Sequence, residues 1–254
     1  MASSGDLTVL VTGATAGFGE ATARRFAAEG SKVVLAGRRT DRLDALKSEL
    51  GGNAHALTLD IQDRDAVAAA IDGLPADFAA IDVLVNNAGL ALGLDAAPSA
   101  NLDDWDTMID TNIKGLTYCT RFLLPGMVER RRGHVINLGS TAGSWPYPGG
   151  NVYGGTKAFV EQFSRNLRTD LVGTGVRVTC IKPGMAETEF SKVRFKGDEA
   201  AADKVYAGVN PLTAEDIAKI ILWVSQQPSH VNINSLEVMP VNQTWGPLVV
   251  NREE

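Results

Sequence analysis

The chain has few of the side chains that cross-link small folds or bind transition metals. Its 254 residues include two cysteines, Cys119 and Cys180, and three histidines, His55, His134 and His230. All five are scattered, without the short repeated spacing of a disulfide scaffold or of a thiolate or imidazole metal site. We therefore expect no structural disulfide and no metal.

Excess positive charge and long apolar runs are also absent. The formal net charge is −6, which argues against a protein that binds a phosphate backbone. No run of about twenty apolar residues occurs, so we predict no membrane span. Residues 1–6 lack the basic and apolar regions of a signal peptide. We expect a cytoplasmic protein whose partner is a small molecule and neither nucleic acid nor a membrane.

What the sequence does contain is a regular alternation of short apolar and longer amphipathic segments. The apolar segments predict strands at Thr8–Val11, Lys32–Ala36, Ala54–Leu59, Val83–Asn86, His134–Leu138, Val176–Ile181 and Ser235–Met239. The amphipathic segments predict helices at 17–29, 40–50, 63–72, 103–129, 152–172 and 214–226. Such an alternation of strands and helices indicates a parallel sheet covered on both faces. We therefore predict a single α/β domain over 1–254, a Rossmann-type doubly wound parallel sheet with helices on both faces.

A glycine-rich turn follows the first predicted strand. The sequence TGATAGFG at 12–19 has the spacing G-x-x-x-G-x-G and leads into a helix. Glycines at such a turn let the backbone approach a pyrophosphate, whose charge then meets the helix N terminus. An ordinary strand–helix turn is the alternative. The predicted cofactor contacts in this turn are Gly13, Thr15, Ala16, Gly17, Phe18 and Gly19.

The end of the second strand indicates which dinucleotide binds. An NAD site is expected to have an acidic residue here for the ribose 2′-hydroxyl, but the sequence reads Ala36-Gly37-Arg38-Arg39. Guanidinium groups offer planar, multidentate donors to a phosphate. Two solvated arginines that open the next helix are the alternative. Arg38 and Arg39 thus favour NADP.

The ends of the third and fourth strands carry further candidates. Asp60 is positioned either to accept a hydrogen bond from the adenine amino group or to cap the next helix. Asn86-Asn87-Ala88-Gly89 places amides and a glycine at the same sheet edge, unless it is a plain turn. The predicted cofactor contacts here are Asp60, Ile61, Asn87, Ala88 and Gly89.

The residues after the fifth strand indicate acid–base chemistry. Ser140 follows that strand, and Tyr153 and Lys157 come later with the spacing Y-x-x-x-K. On a helix this spacing puts the phenol and the ammonium group on one face. A neighbouring cation lowers the pKa of a phenol from about 10. Tyr153 is therefore predicted to be an acid or base near neutral pH.

Together and in this order, these motifs resemble the short-chain dehydrogenase/reductase family over nearly the whole chain. The resemblance implies that Ser140 holds the reacting oxygen, and that Tyr153 exchanges its proton. It implies that Lys157 binds the nicotinamide ribose and lowers the pKa of the tyrosine. Asn112 matches the fourth catalytic residue, which supports a proton-relay water; otherwise it is a polar helix residue.

The same resemblance extends to the cofactor and the assembly. Pro183, Gly184 and Thr188 match the segment that contacts the carboxamide end of the cofactor, although Pro-Gly also forms ordinary turns. The family also implies a homotetramer in which helices 103–129 and 152–172 pair between subunits.

A narrower resemblance concerns the substrate. The segments NNAGLALG (86–93), GGNVYGGTKAF (149–159), GMAETEF (184–190) and VNINSLEVMPV (231–241) resemble NADP-dependent serine 3-dehydrogenases and 3-hydroxy acid dehydrogenases. This implies oxidation of L-serine, allo-threonine or 3-hydroxypropionate at the β-hydroxyl, or reduction of malonic semialdehyde. A reductase of another small aldehyde or ketone, such as sulfoacetaldehyde, is the runner-up. A catalytically silent NADP sensor would not need all four catalytic residues.

An acid substrate requires a cation near the pocket. A lid is predicted near 186–212, and we hypothesise that its Arg194 binds the substrate carboxylate. The alternative is a basic lid that faces solvent. Tyr147, with Trp145, is predicted either to wall the substrate pocket or to pack in the core or at a subunit contact.

Overall fold

The computed structural model describes residues 7–246 as one parallel sheet with helices on both faces. Residues 1–6, on which the expected absence of a signal peptide rests, lie outside the described residues, as do 247–254 of the predicted domain. No helix among residues 7–246 is both long and apolar enough to cross a membrane.

The sheet confirms the predicted fold class. Its strands are β1 (Thr8–Thr12), β2 (Lys32–Gly37), β3 (Ala54–Thr58), β4 (Val83–Asn86), β5 (Gly133–Leu138), β6 (Val176–Pro183) and β7 (Ser235–Val238). They lie in the order β3-β2-β1-β4-β5-β6-β7, and every neighbouring pair is parallel. The strand order reverses between β1 and β4, so this topology predicts a crevice for ligands at their carboxyl ends.

Alternate side chains of each central strand enter two different cores. Val9 and Val11 of β1 pack with Phe26 on one face of the sheet, whereas Leu10 packs with Met127 on the other. Successive residues of a strand point to opposite faces, so strands that are covered on both sides need apolar residues throughout. This explains the uninterrupted apolar runs of the sequence.

The helices include three that the sequence did not predict. The full set of α-helices among residues 7–246 is α1 (Gly17–Ala28), α2 (Thr40–Leu50), α3 (Arg64–Asp72), α4 (Ala76–Ala79), α5 (Leu102–Ile109), α6 (Leu116–Glu129), α7 (Asn151–Asp170), α8 (Glu189–Arg194), α9 (Glu199–Tyr206) and α10 (Ala214–Ser225). The additional helices are α4, α8 and α9. Both α8 and α9 lie within the predicted lid at 186–212.

The single helix predicted over 103–129 is wrong in one respect. A π-helical segment, Asp110–Gly115, separates α5 from α6. A Cβ on Gly115 would lie 2.5 Å from the side chain of Ile61, so the segment lies directly against the turn after β3. Single turns of π-helix inside α-helices occur frequently at functional sites, and this one contains Asn112.

Candidate active site

One cleft of about 460 Å³ lies at the carboxyl edge of the sheet and under the lid. It brings together residues from the segments that follow β1 to β6. The predicted site residues that line it are Gly13, Thr15, Ala16, Gly17, Phe18, Arg38, Arg39, Asp60, Ile61, Asn87, Ala88, Gly89, Ser140, Tyr147, Tyr153, Lys157, Pro183, Gly184, Thr188 and Arg194. Two predicted residues, Gly19 and Asn112, do not line it.

The glycine loop is shaped by two left-handed glycines and one close contact. Gly13 and Gly17 have φ of +68° and +53°, in the region that favours glycine. A Cβ on Gly13 would also lie 2.9 Å from Nδ2 of Asn87. Gly19 has a different function, because a Cβ there would overlap the carbonyl of Gly13. Its lack of a side chain lets α1 begin directly beneath the loop.

The turn after β4 is tied to the glycine loop through Thr12. Its Oγ1 accepts hydrogen bonds from the backbone N–H groups of Asn87 and Ala88, both at 3.0 Å. Nδ2 of Asn87 donates to the Thr12 carbonyl at 2.8 Å. Asn86, in contrast, is buried and donates to Thr120 and Asn137. Only one of the two neighbouring amides therefore reaches the cleft.

Arginines gather at the end of the cleft nearest β2. Nε and Nη2 of Arg39 donate to Thr15 Oγ1 at 3.0 and 2.7 Å, so this arginine is not simply solvated. The more exposed Arg38 lies 3.8 Å from Asp60. Sequence reasoning missed Arg42, which donates to the Thr15 carbonyl at 3.3 Å. Its position three residues beyond Arg39 in α2 is the signal that could have identified it.

Asp60 does not cap the next helix. The cap of α3 is Asp63, whose side chain accepts from the N–H groups of Asp65 and Ala66 at 3.0 Å. Asp60 instead accepts from the N–H of Gln62 and faces Arg38. Its carboxylate therefore lies at the edge of the cleft.

Tyr153 and Lys157 lie on the face of α7 that is directed into the cleft. They are buried, with exposed fractions of 9% and 7%. The Lys157 ammonium donates to the Leu138 carbonyl at 2.8 Å and lies 5.9 Å from the centroid of the Tyr153 ring. The Ser140 hydroxyl accepts from the N–H of Ala142 at 3.1 Å. The end of β5 and the start of α7 thus place the three side chains in one cleft.

Burial sets the direction of the pKa shift of Tyr153, and the predicted lowering of that pKa by Lys157 stays a prediction. Burial raises the pKa of Tyr153 to about 12, and Arg194 and a hydrogen bond with Ser140 oppose that rise. Burial also lowers the pKa of Lys157 to about 8. Desolvation outweighs the attraction of Arg194 here because it penalises a buried phenolate.

Asn112 does not line the cleft, but its hydrogen bonds connect segments that do. Its Nδ2 donates to the Leu90 carbonyl at 2.8 Å and to Thr156 Oγ1 at 3.0 Å, and its Oδ1 accepts from the Leu90 N–H at 2.9 Å. A Cβ on Gly89 would lie 3.1 Å from Asn112 Oδ1 and 3.4 Å from Lys157 Nζ. Asn112 thus joins the turn after β4 to α7 through the π-helical segment.

Arg194, at the end of α8, points into the cleft. Its Nη2 donates to the Tyr147 hydroxyl at 2.5 Å. Its guanidinium carbon lies 5.2 to 5.7 Å from the ring centroids of Tyr147, Tyr153 and Phe190. Its carbonyl accepts from the N–H of Gly93 at 3.0 Å, which holds the lid against the turn after β4. The solvent-facing alternative does not describe this residue.

Arg194 also differs from the other cations of the lid region. Lys192 pairs with Glu199 at 2.8 Å, and Lys196 pairs with Asp104 at 2.9 Å. Among residues 7–246, no carboxylate lies within ion-pair distance of Arg194, and its buried Nε has no hydrogen-bond partner there. Arg194 is therefore a half-buried cation available to an anion in the cleft.

Comparison with known proteins identifies the same family that the sequence motifs resemble. The family model described as short chain dehydrogenase matches residues 7–199. NADP-dependent 3-hydroxy acid dehydrogenase YdfG of Escherichia coli K12 is 60% identical and covers 96% of this chain and 99% of its own. Serine 3-dehydrogenase of Rhizobium radiobacter is 59% identical, with coverage of 97% and 98%.

Solved structures of serine dehydrogenases share the fold of this chain. The closed form of a serine dehydrogenase complexed with NADP⁺ superposes with a TM-score of 0.93, at 60% identity over 96% of this chain and 99% of that one. A serine dehydrogenase from Escherichia coli gives 0.83, at 56% identity over 93% and 99%. The family predicted from the sequence motifs is confirmed: the chain belongs to the short-chain dehydrogenases.

Proposed function

We propose that the protein is an NADP-dependent oxidoreductase for small 3-hydroxy acids. It oxidises the β-hydroxyl of acids such as L-serine, allo-threonine and 3-hydroxypropionate, or reduces the matching semialdehyde. The observation that carries the proposal is Arg194, a half-buried cation whose guanidinium carbon lies 5.2 Å from the ring centroid of Tyr153. The names and the high identity of the relatives support the same substrate class.

The residues of the cleft fit NADP. Gly13 and Gly89 line the cleft without a side chain, and a Cβ on either would crowd Asn87 or Asn112, which suits a ligand that approaches the backbone closely. The two residues after β2 are Arg38 and Arg39, where an NAD site would carry an acid. Gly17 would face the pyrophosphate at the start of α1. When NADP is bound, its nicotinamide ring supplies the hydride donor or acceptor of the reaction.

The protein's own side chains supply the proton chemistry. Tyr153 donates its proton to the carbonyl oxygen in reduction and removes the hydroxyl proton in oxidation. Ser140 hydrogen-bonds the same oxygen and fixes its place beside the phenol. Lys157, held by the Leu138 carbonyl, stabilises the phenolate formed in the reductive direction. The buried surroundings of Tyr153 and Lys157 strengthen these interactions.

Arg194 explains the preference for an acid. A carboxylate bound by the guanidinium forms charge-assisted hydrogen bonds in a partly desolvated site, where they are strong. Tyr147, which already accepts from Arg194, fixes the direction of that group. The β-hydroxyl of a small acid would then lie near Tyr153, because the arginine packs on the face of the same ring.

A second candidate is a reductase of another small aldehyde that carries an anion, such as sulfoacetaldehyde. Arg194 favours it over a neutral ketone, because a sulfonate also accepts several hydrogen bonds from a guanidinium group. The cytoplasmic location and the homotetramer that the sequence led us to expect stay predictions.

Initial rates of NADP⁺ reduction test the proposal. We expect turnover of L-serine, allo-threonine and 3-hydroxypropionate with NADP⁺, and much slower turnover with NAD⁺, because Arg38 and Arg39 replace the acid that binds a ribose 2′-hydroxyl. Sulfoacetaldehyde with NADPH is measured in parallel. Activity with neutral alcohols alone would contradict the acid site, and a preference for NAD⁺ would contradict the cofactor.

A further inference from the structure

A carboxylate from the lid lies on the arginines at the β2 end of the cleft. Glu189, the first residue of α8, accepts hydrogen bonds from Nη1 of Arg42 at 2.9 and 3.1 Å, and from Nη1 of Arg39 at 3.1 Å. The three side chains are 43–44% exposed. Sequence reasoning did not identify this carboxylate, although it lines the same cleft as Arg38 and Arg39. It therefore offsets positive charge that a phosphate at this end would use.

With the contact to Glu189, each guanidinium nitrogen of Arg39 has a hydrogen-bond partner. One side of the guanidinium donates to Thr15 Oγ1, and the remaining nitrogen, Nη1, donates to Glu189. An anionic ligand of Arg39 therefore has either to displace the carboxylate or to lie close beside it. Each case costs free energy, because ion pairs are exchanged in the first and like charges approach in the second.

The path of the lid holds Glu189 at this place. The preceding residue, Thr188, packs on the glycine loop so closely that a Cβ on Gly17 would lie 3.3 Å from its Cβ. Thr188 also caps α8, since its Oγ1 accepts from the N–H of Phe190 at 3.2 Å. The lid thus crosses the glycine loop directly before Glu189 and delivers the carboxylate to α2.

We propose that Glu189 sets cofactor affinity and specificity by competing with a ribose 2′-phosphate for Arg39 and Arg42. It weakens the binding of NADP(H) and has little effect on NAD(H), which lacks that phosphate. The inference rests on the proposed function, because it takes NADP as the cofactor. Such a competitor speeds release of the oxidised or reduced cofactor, a step that limits turnover in many enzymes with lids.

Dissociation constants of wild type and Glu189→Gln test the proposal. The ligands are NADP⁺ and 2′,5′-ADP, which carry the 2′-phosphate, and NAD⁺ and 5′-AMP, which do not. We expect Glu189→Gln to bind the first pair about fivefold more tightly, a factor suited to partly exposed ion pairs. Binding of the second pair should change less than about twofold, and the gain should shrink as salt is added.

Glu187→Gln is the matched control. It removes the same charge two residues earlier in the lid, from an exposed side chain that is not a partner of the arginines. Unchanged or weaker NADP⁺ binding by Glu189→Gln would overturn the proposal, as would equal tightening by Glu187→Gln. A wild type that does not prefer NADP⁺ to NAD⁺ would overturn the proposed function and this inference together. A wild type that prefers NADP⁺, with no tightening in Glu189→Gln, overturns the inference alone.

Discussion

Replacing Tyr153 with phenylalanine should reduce kcat by about 10³-fold or more while the protein stays folded and binds NADP⁺. The substitution removes only the hydroxyl that transfers the proton, and a positioned acid or base contributes about 10² to 10⁴ in rate. The ring remains to pack against Phe190, whose centroid lies 5.6 Å away. The measurements are kcat with L-serine and NADP⁺, and the dissociation constant of NADP⁺.

Tyr147→Phe is the control for Tyr153→Phe. It removes a phenol hydroxyl from the same cleft, one that accepts from Arg194. Because Tyr147 is assigned no proton transfer, its loss should affect KM for an acid more than kcat. Retention of more than about a tenth of wild-type kcat by Tyr153→Phe would mean that another group moves the proton.

Replacing Arg194 with alanine should lower kcat/KM for L-serine by about 10²-fold, mainly through KM. Loss of one partner of a buried, hydrogen-bonded charge pair costs about 2–5 kcal/mol, and the guanidinium is proposed to bind the substrate in ground state and transition state alike. For a neutral ketone reduced with NADPH, the same variant should change kcat/KM by less than about threefold. Steady-state kinetics with both substrates separate the two effects.

Lys192→Ala provides the matched comparison for Arg194→Ala. It also removes a cation from α8, but one that is exposed and paired with Glu199. Exposed pairs contribute little, so this variant should behave as wild type toward both substrates. An equal loss with L-serine and with the neutral ketone in Arg194→Ala would show that the arginine supports the lid and does not recognise a carboxylate.

The sequence was sufficient for the sheet, and most of the site residues predicted from it line the cleft. Apolar runs gave the seven strands, because a strand covered on both faces has no polar side. In a parallel sheet, the residues that follow the strands share one edge, so Ser140, Asn87 and Arg38 were expected together. Motif spacing then sufficed for Tyr153 and Lys157, which lie one helical turn apart.

Contacts between distant segments could not be predicted from the sequence. The pairing of Glu189 with Arg42 joins residues 147 positions apart, and local periodicity carries no information about it. The π-helical segment around Asn112 depends on its tight packing against Ile61. The spacing of Tyr153 and Lys157 did not reveal that burial opposes ionisation of the phenol, because charge spacing is visible in a sequence but burial is not.

The central claim is that the cleft recognises a small 3-hydroxy acid by its carboxylate. The most direct test compares kcat/KM of the wild-type protein for 3-hydroxypropionate and for its methyl ester, with saturating NADP⁺. The two molecules share the reacting hydroxyl and differ in the charge that Arg194 would bind. We predict a preference for the acid of about 10²-fold. Equal use of both, or a preference for the ester, would contradict the account.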